Sequence, residues 1–175
     1  MGEQDGKGGV GPVVASAHLA ASSLPALSEV EFALTMVGHA YHRWIVRAAR
    51  AAGGPALSPL EVLILHRVHH RGDAKTLADL CLVLNIEDTH LASYAVRKLT
   101  GHGLVCPGRR GKEKTVAVTP AGAALCERYG RVREALLLEG AAEMGVRPAE
   151  LSRLAALMRR LSGGYDQAAR AAAAL

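Results

Sequence analysis

The chain has 175 residues, which allows one domain or two very small ones. Half of the residues are apolar and about a fifth are charged, which is the composition of a globular protein rather than of a disordered chain. No stretch reaches the roughly 18 uninterrupted apolar residues of a transmembrane helix, so we expect no membrane partner. Three scattered cysteines, an odd number, do not form a disulfide framework. The first residues also lack the basic leader of a signal peptide, and we expect a cytoplasmic protein.

The net charge of +5 is concentrated in one short segment. Six basic residues and a single acid, Glu113, lie between Arg97 and Lys114, and this segment alone accounts for the excess. Positive charge concentrated on an otherwise neutral body is typical of proteins that bind nucleic acid. A solvated loop with surplus cations has the same pattern, so the charge alone leaves both interpretations open.

The N-terminal part of the chain predicts an arm followed by a helix. Residues 1–25 are rich in Gly, Ala and Ser without a sustained period, which predicts a flexible arm. Ser28 with Glu31 fits a capping box, and apolar residues then recur at steps of three and four. Aromatic residues make up only 3% of the chain and Ala and Leu abound, which favours helices throughout.

A second helix is predicted from a stronger start signal. Ser58, Pro59 and Glu61 supply an N-cap, a proline at the first helical position and the acid of a capping box. Gly72 ends this helix after a run of cations that suits a helix C-terminus.

Two further helices follow around a tight turn. The shorter is predicted over about 75–83 and the longer over about 87–102. Asn85 lies between them, and Asn is the commonest residue after Gly in a left-handed turn. This arrangement has the proportions of a helix-turn-helix.

Beyond Gly103 the pattern changes to short strands. Residues 104–106 and 115–118 are strand-like and flank the basic loop 107–114, which predicts a β-hairpin. Thr119-Pro120 then begins a long helix, and a second Pro-initiated pattern begins a last one. We find no Ser-His-acid set, phosphate-cradling glycine loop or paired-carboxylate site, so we expect no enzymatic activity and no cofactor.

These elements resemble the MarR family of winged helix-turn-helix transcription regulators. Leu77-Ala78 with Leu84-Asn85-Ile86 looks like the first helix and turn of its DNA-binding motif. Val96-Arg97-Lys98-Leu99 followed by Gly103-Leu104-Val105 looks like its recognition helix running into the first wing strand. Val118-Thr119-Pro120-Ala121-Gly122 is similar to the Leu-Thr-x-x-Gly pattern that leaves the wing.

The resemblance implies a mainly α fold with a small β-hairpin wing. It places a single MarR-like domain over 26–163, with the winged helix-turn-helix at about 58–120 and dimerisation helices at about 28–52 and 120–163. An Ala-rich tail follows at 164–175. It also implies a homodimer that binds pseudo-palindromic double-stranded DNA, and we expect a repressor that a small-molecule effector releases.

One departure from the family pattern leaves an alternative open. The family's wing carries an Asp-x-Arg pair that braces the hairpin, and here Glu113 is the acid available to replace the Asp. Glu87 and Asp88 at the start of the recognition helix would repel phosphates. The alternative is therefore a winged-helix module that binds protein and does not read DNA.

The DNA-binding candidates follow from the polar face of the recognition helix and from the wing. The candidates for base contacts are Thr89, His90, Ser93 and Tyr94. Arg97 would bind a guanine or a phosphate, and Lys98 the phosphate backbone. The wing cations would follow the phosphates, one arginine entering the minor groove; they are Arg109, Arg110, Lys112 and Lys114. The start of the short helix adds two candidate phosphate contacts, Lys75 and Thr76.

Histidines at helical spacing and one cysteine give a third interpretation, a metal or redox sensor on the same fold. His39 and His42 share one helix face, but no Cys or carboxylate cluster completes a metal site, and we expect no metal. In the resembled family, effectors often lie in a crevice near these helices, which makes His39, His42 and His66 pocket candidates. Cys106 precedes the basic wing and is the redox candidate.

Overall fold

The computed structural model describes residues 11–175 and confirms a mainly α fold with a small β wing. In chain order the elements are α1 (Ala17–Ala20), α2 (Pro25–Ala51), α3 (Pro59–His69), β1 (Lys75–Thr76), α4 (Leu77–Leu84), α5 (Thr89–Gly101), β2 (Val105–Arg110), β3 (Glu113–Val118), α6 (Pro120–Arg133), a π-helical segment (Glu134–Leu138), α7 (Glu139–Glu143) and α8 (Pro148–Ala172). The chain divides into two compact units, one up to Tyr129 and one from Gly130 onward. No helix in the described range is long and apolar enough to span a membrane.

Helix α2 begins earlier than predicted, and Ser28 is not its N-cap. Pro25 begins the helix, and the Ser28 hydroxyl instead donates a hydrogen bond to the carbonyl of Leu19 at 2.7 Å. The backbone N–H of Val13 also donates to Glu29 Oε1 at 3.1 Å. Residues 1–10 of the predicted arm lie outside the described residues, and within the rest of the arm α1 contacts α2.

Helix α3 is the central helix of the first unit. The predicted capping box is confirmed: Ser58 Oγ accepts from the backbone N–H of Glu61, and the Glu61 carboxylate accepts from that of Ser58. The helix contacts α2, α4, α5 and β3, so its apolar residues are surrounded. Its fully buried side chains are Val62, Ile64 and Val68.

The helix-turn-helix is formed by α4 and α5. Thr76 caps α4 in a second capping box, with Asp79 as the acid. Asn85 adopts the predicted left-handed conformation, with φ of 52°, and reverses the chain. Asp88 caps α5, because its Oδ1 accepts from the N–H of His90 at 2.8 Å.

The buried face of α5 is narrow. Ala92, Ala95 and Leu99 are buried, and they pack this helix on its neighbours. Leu91 continues the apolar period of this helix but is 55% exposed. The two alanines bring α5 close to the core, and Leu91 lies outside the contact that they make.

The sheet has three antiparallel strands in the order β1-β3-β2. Strand β1, which the sequence analysis did not predict, pairs Lys75 with Val116. The predicted eight-residue loop is wrong: β2 and β3 pair up to Arg110 and Glu113, and a two-residue turn joins them. Gly111 in this turn has φ of 62°, a conformation that glycine adopts without strain.

A tight junction joins the wing to α6. The N–H of Thr119 donates to the carbonyl of Leu104 at 3.1 Å, and its hydroxyl donates to the carbonyl of Gly103 at 2.6 Å. The same hydroxyl oxygen accepts from the N–H of Gly122 at 3.1 Å. A Cβ on Gly122 would lie 2.0 Å from the Leu104 oxygen, so only glycine fits here. This contact explains the Thr-x-x-Gly motif.

The second unit is helical. The π-helical segment interrupts the long helix predicted from Pro120. Helix α8 continues to Ala172, so the Ala-rich tail extends the last helix. Leu151, Leu154 and Leu157 are all about half exposed on it.

Candidate nucleic-acid interface

The polar face of α5 is exposed, as a DNA-reading helix requires. Thr89, His90, Tyr94 and Arg97 are exposed, and Ser93 is half-buried. The guanidinium carbon of Arg97 lies 5.8 Å from the centre of the Tyr94 ring, within range of a cation–π interaction. This interaction therefore helps to hold both side chains in place on the exposed surface of α5.

Lys98 has a different environment from Arg97. Its Nζ lies 3.0 Å from Oε1 of Glu61, whose side chain is almost completely buried. Burial by itself would raise the pKa of Glu61, but the backbone N–H of Ser58 and the Lys98 ammonium outweigh it and hold that pKa below its usual value. The hydrogen bond to Glu61 raises the pKa of Lys98 in turn. Lys98 thus joins α5 to the start of α3.

The register of the wing separates its two arginines. Arg110 lies opposite Glu113, and its Nη2 donates to Glu113 Oε2 at 3.2 Å. Glu113 therefore braces Arg110 across the hairpin. Arg109 lies opposite Lys114, another cation, and both are exposed. Lys112 occupies the turn.

The start of α4 offers less to a phosphate than the sequence suggested. Lys75 is buried, and its Nζ lies 3.8 Å from Asp73. The Thr76 hydroxyl accepts the N–H of Asp79, whose carboxylate occupies the N-terminus of α4. Hydrogen bonds from Thr76, and then the charges of Arg110 and Lys75, hold the pKa of Asp79 below its usual value. The Asp79 carboxylate therefore occupies the position at which the sequence predicted a phosphate.

The three histidine candidates lie on two helices. His39 and His42 are exposed on α2. His66 on α3 is partly buried, and its ring packs edge-on against Tyr129 with centroids 4.4 Å apart. Burial, and then the charge of His69, lowers the pKa of His66. Across residues 11–175, no group of three His, Cys, Asp or Glu side chains is arranged to hold a metal ion.

The cysteines differ in exposure. Cys106 is exposed on β2, whereas Cys81 and Cys126 are buried. Burial raises the pKa of Cys126 to about 11, which keeps it a thiol. Cys106 is thus the accessible thiol among the three.

The sequence pattern predicts Glu61 as part of a helix cap but does not indicate its contact with Lys98. No local pattern indicates this contact, because the two residues are far apart in the chain and meet only where α3 packs on α5. The Arg110–Glu113 pair could have been found, since a two-residue hairpin turn between them places them opposite each other.

Comparison with protein families matches residues 57–122 to a family described as a winged helix DNA-binding domain. This range runs from the residue before the Ser58 cap to Gly122 at the junction behind the wing. The curated proteins contain no match to this sequence.

Several solved structures share the fold at low sequence identity. The structure of CouR from Rhodococcus jostii RHA1 bound to p-coumaroyl-CoA has a TM-score of 0.63 at 17% identity, covering 75% of this chain and 90% of that chain. A MarR transcriptional regulator from Methanosarcina mazei Go1 has a TM-score of 0.62 at 17% identity, covering 78% and 90%. A MarR-family transcriptional regulator from Rhodococcus sp. RHA1 has a TM-score of 0.61 at 17% identity, covering 76% and 91%.

The match and the shared fold agree with the helix-turn-helix, the wing and the junction described above. Residues 57–122 therefore have the fold of winged helix DNA-binding domains, in a chain that shares the fold of MarR-family transcription regulators.

Proposed function

We propose that this protein is a homodimeric transcription regulator that binds double-stranded DNA sequence-specifically. One observation carries the proposal: Arg109 and Lys114, two cations, lie directly opposite each other on an exposed hairpin. Like charges at opposed positions destabilise a hairpin. A phosphate backbone between them removes the repulsion, and a protein partner without negative charge does not.

Helix α5 supplies the sequence reading in this proposal. Its exposed side chains Thr89, His90, Tyr94 and Arg97 include donors and acceptors for base edges in the major groove. Arg97 is held beside Tyr94, so its side chain loses less conformational entropy on binding DNA. The wing then lies along the phosphates, with Arg109 and Lys114 one pair further from the turn than the braced Arg110.

The dimer is proposed from apolar surfaces that the described chain leaves exposed. On α2, Met36, Val37 and Tyr41 are each about half exposed. On α8, apolar side chains recur at steps of three and four and are likewise exposed; they are Leu151, Leu154, Leu157, Met158 and Tyr165. Exposed apolar surface of this kind on a helix marks an interaction site, and a second copy would cover it.

Repression released by an effector is the mechanism that we propose for regulation. The two copies of α5 must lie about 34 Å apart to enter successive major grooves. An effector that binds more tightly to a dimer with another spacing of the two α5 helices lowers the affinity for DNA. The loss equals the difference between the free energies with which the effector binds the two forms of the dimer. The similar structure of CouR was solved with p-coumaroyl-CoA bound, which supports a small-molecule effector in this fold. His39, His42 and His66 remain candidates for lining its site.

A salt titration with random duplex DNA tests the proposal. We expect binding to weaken steeply with salt, because each neutralised phosphate releases counterions. The double variant Arg109→Ala/Lys114→Ala should make the slope of log K against log salt shallower by about 1.8 per subunit. No binding of the wild type at low salt contradicts the proposal.

Arg159→Ala/Arg160→Ala is the matched control. It removes the same charge from exposed positions on α8, outside the DNA-binding domain. We expect its slope to equal that of the wild type. An equal loss of slope in both variants would show that net charge, and not the wing, determines binding.

A protein-binding module is the second candidate, favoured by the outward face of α4. Leu82 is 80% exposed and Val83 51% exposed. The acids Asp79, Glu87 and Asp88 lie nearby in the chain and are also exposed. An apolar and acidic surface suits a protein partner better than DNA. Lack of DNA binding in the salt titration would favour this candidate.

A further inference from the structure

An ion pair ties the recognition helix α5 to the start of α3. Lys98 Nζ lies 3.0 Å from Glu61 Oε1, with side-chain exposures of 38% and 3%. The other carboxylate oxygen of Glu61 accepts the N–H of Ser58 at 2.9 Å. Glu61 therefore uses one oxygen to cap α3 and the other to hold α5.

The two partners differ in burial, and this difference keeps the ion pair formed. Glu61 is desolvated, so moving Lys98 away would leave a buried carboxylate without a counter-charge, which is strongly unfavourable. Lys98 is partly exposed and could still offer a donor to a phosphate. The pair as a whole carries no net charge, however, and only net positive charge displaces counterions from DNA.

The neighbouring Arg97 provides the contrast. It is exposed on α5 beside Tyr94 and makes its described contact with an uncharged ring. Two adjacent cations of one helix thus have different electrostatic environments.

We propose that Glu61 is a positioning residue for DNA recognition, which fixes the orientation of α5 through Lys98. Glu61 also compensates the charge of Lys98, so that Lys98 does not neutralise a DNA phosphate. This inference rests on the proposed DNA-binding function. It assigns a role in base reading to a residue that lies beneath the DNA-reading surface.

Salt titrations with random duplex DNA test the withdrawal of charge. Random duplex offers Arg97 phosphates rather than a selected base, so Arg97→Gln should make the slope of log K against log salt shallower by about 0.9 per subunit. Glu61→Gln should make it steeper by about the same amount, because it frees Lys98 while the glutamine keeps the capping box. Glu61→Gln/Lys98→Gln should leave the slope unchanged, since it removes a neutral pair.

Thermal unfolding of each variant first establishes that it is folded at the temperature of the titration. If the double variant loses as much slope as Arg97→Gln, Lys98 neutralises a phosphate in the wild type and the inference is overturned. An unchanged slope in Glu61→Gln overturns it as well.

Sequence discrimination tests the positioning role. For a duplex selected from a random pool, the ratio of its affinity to that of random duplex should fall by at least about fivefold in Glu61→Gln, the equivalent of one base contact. Mere destabilisation lowers both affinities and leaves the ratio unchanged, so an unchanged ratio contradicts positioning. If the wild type binds no duplex, the proposed function and this inference both fail. If the wild type binds but the Glu61 variants change the slope in the opposite direction to that expected, only this inference is overturned.

Discussion

Replacing Gly122 by alanine should destabilise the junction between the wing and α6. The added Cβ would lie 2.0 Å from the oxygen and 2.9 Å from the carbon of the Leu104 carbonyl. Both are backbone atoms, so no rotamer change relieves the overlap, and the chain must move apart by more than 1 Å, as a van der Waals separation of about 3.2 Å requires.

The magnitude follows from what that movement disrupts. Overpacking a close contact costs about 1–3 kcal/mol. The same movement stretches the hydrogen bond from Thr119 N–H to the Leu104 carbonyl, now 3.1 Å, which contributes about 1 kcal/mol more. We expect Gly122→Ala to lower the free energy of unfolding by about 3 kcal/mol.

Urea unfolding followed by circular dichroism measures this difference, and Gly130→Ala is the control. Gly130 lies in the same helix, and an added Cβ there meets no atom within 4 Å. Because alanine favours helices, the control should be stabilised by up to about 1 kcal/mol. If both variants are as stable as the wild type, the close approach of Gly122 to Leu104 is refuted.

Two further predictions concern the turn and a partly buried histidine. Asn85→Ala should cost about 1 kcal/mol in urea unfolding, because φ of 52° suits Asn and Gly but not Ala; Asn85→Gly should stay near the wild type, and equal losses in both variants would refute the conformational cause. Burial lowers the pKa of His66, so the unfolded chain binds a proton there more readily than the folded chain does. Wild-type stability should therefore decrease as the pH falls through about 6.5. His66→Phe keeps a ring against Tyr129, 4.4 Å away in the wild type, and should show a flatter dependence of Tm on pH from 7 to 5. An identical pH profile in both proteins would contradict a perturbed His66.

Local sequence signals predicted the elements that depend on local chemistry. Ser58 and Glu61 are three residues apart and meet within one helical turn, so the capping box is visible in the sequence. Asn85 is similar, because its side chain tolerates the left-handed backbone by itself. Ser28 misled the prediction, since the same motif occurs inside a helix where its hydroxyl bonds to Leu19 instead.

Features that depend on contacts between distant segments were not predictable. Strand β1 has only two residues, and its pairing partner Val116 lies on the far side of α4 and α5 in the chain. The partner of Lys98 depends on how α3 packs on α5. The exposed position of Leu91 likewise follows from the helix orientation, not from the period of apolar residues.

In vitro selection from a random duplex pool, followed by footprinting of the enriched sequence, tests the central claim most directly. A homodimer that places two copies of α5 in successive major grooves should enrich a pseudo-palindrome, with half-site centres about 10–10.5 base pairs apart. Arg97→Ala should relax the preference at one base position in each half-site. Enrichment of no sequence, or of a site without two-fold symmetry, would contradict the account.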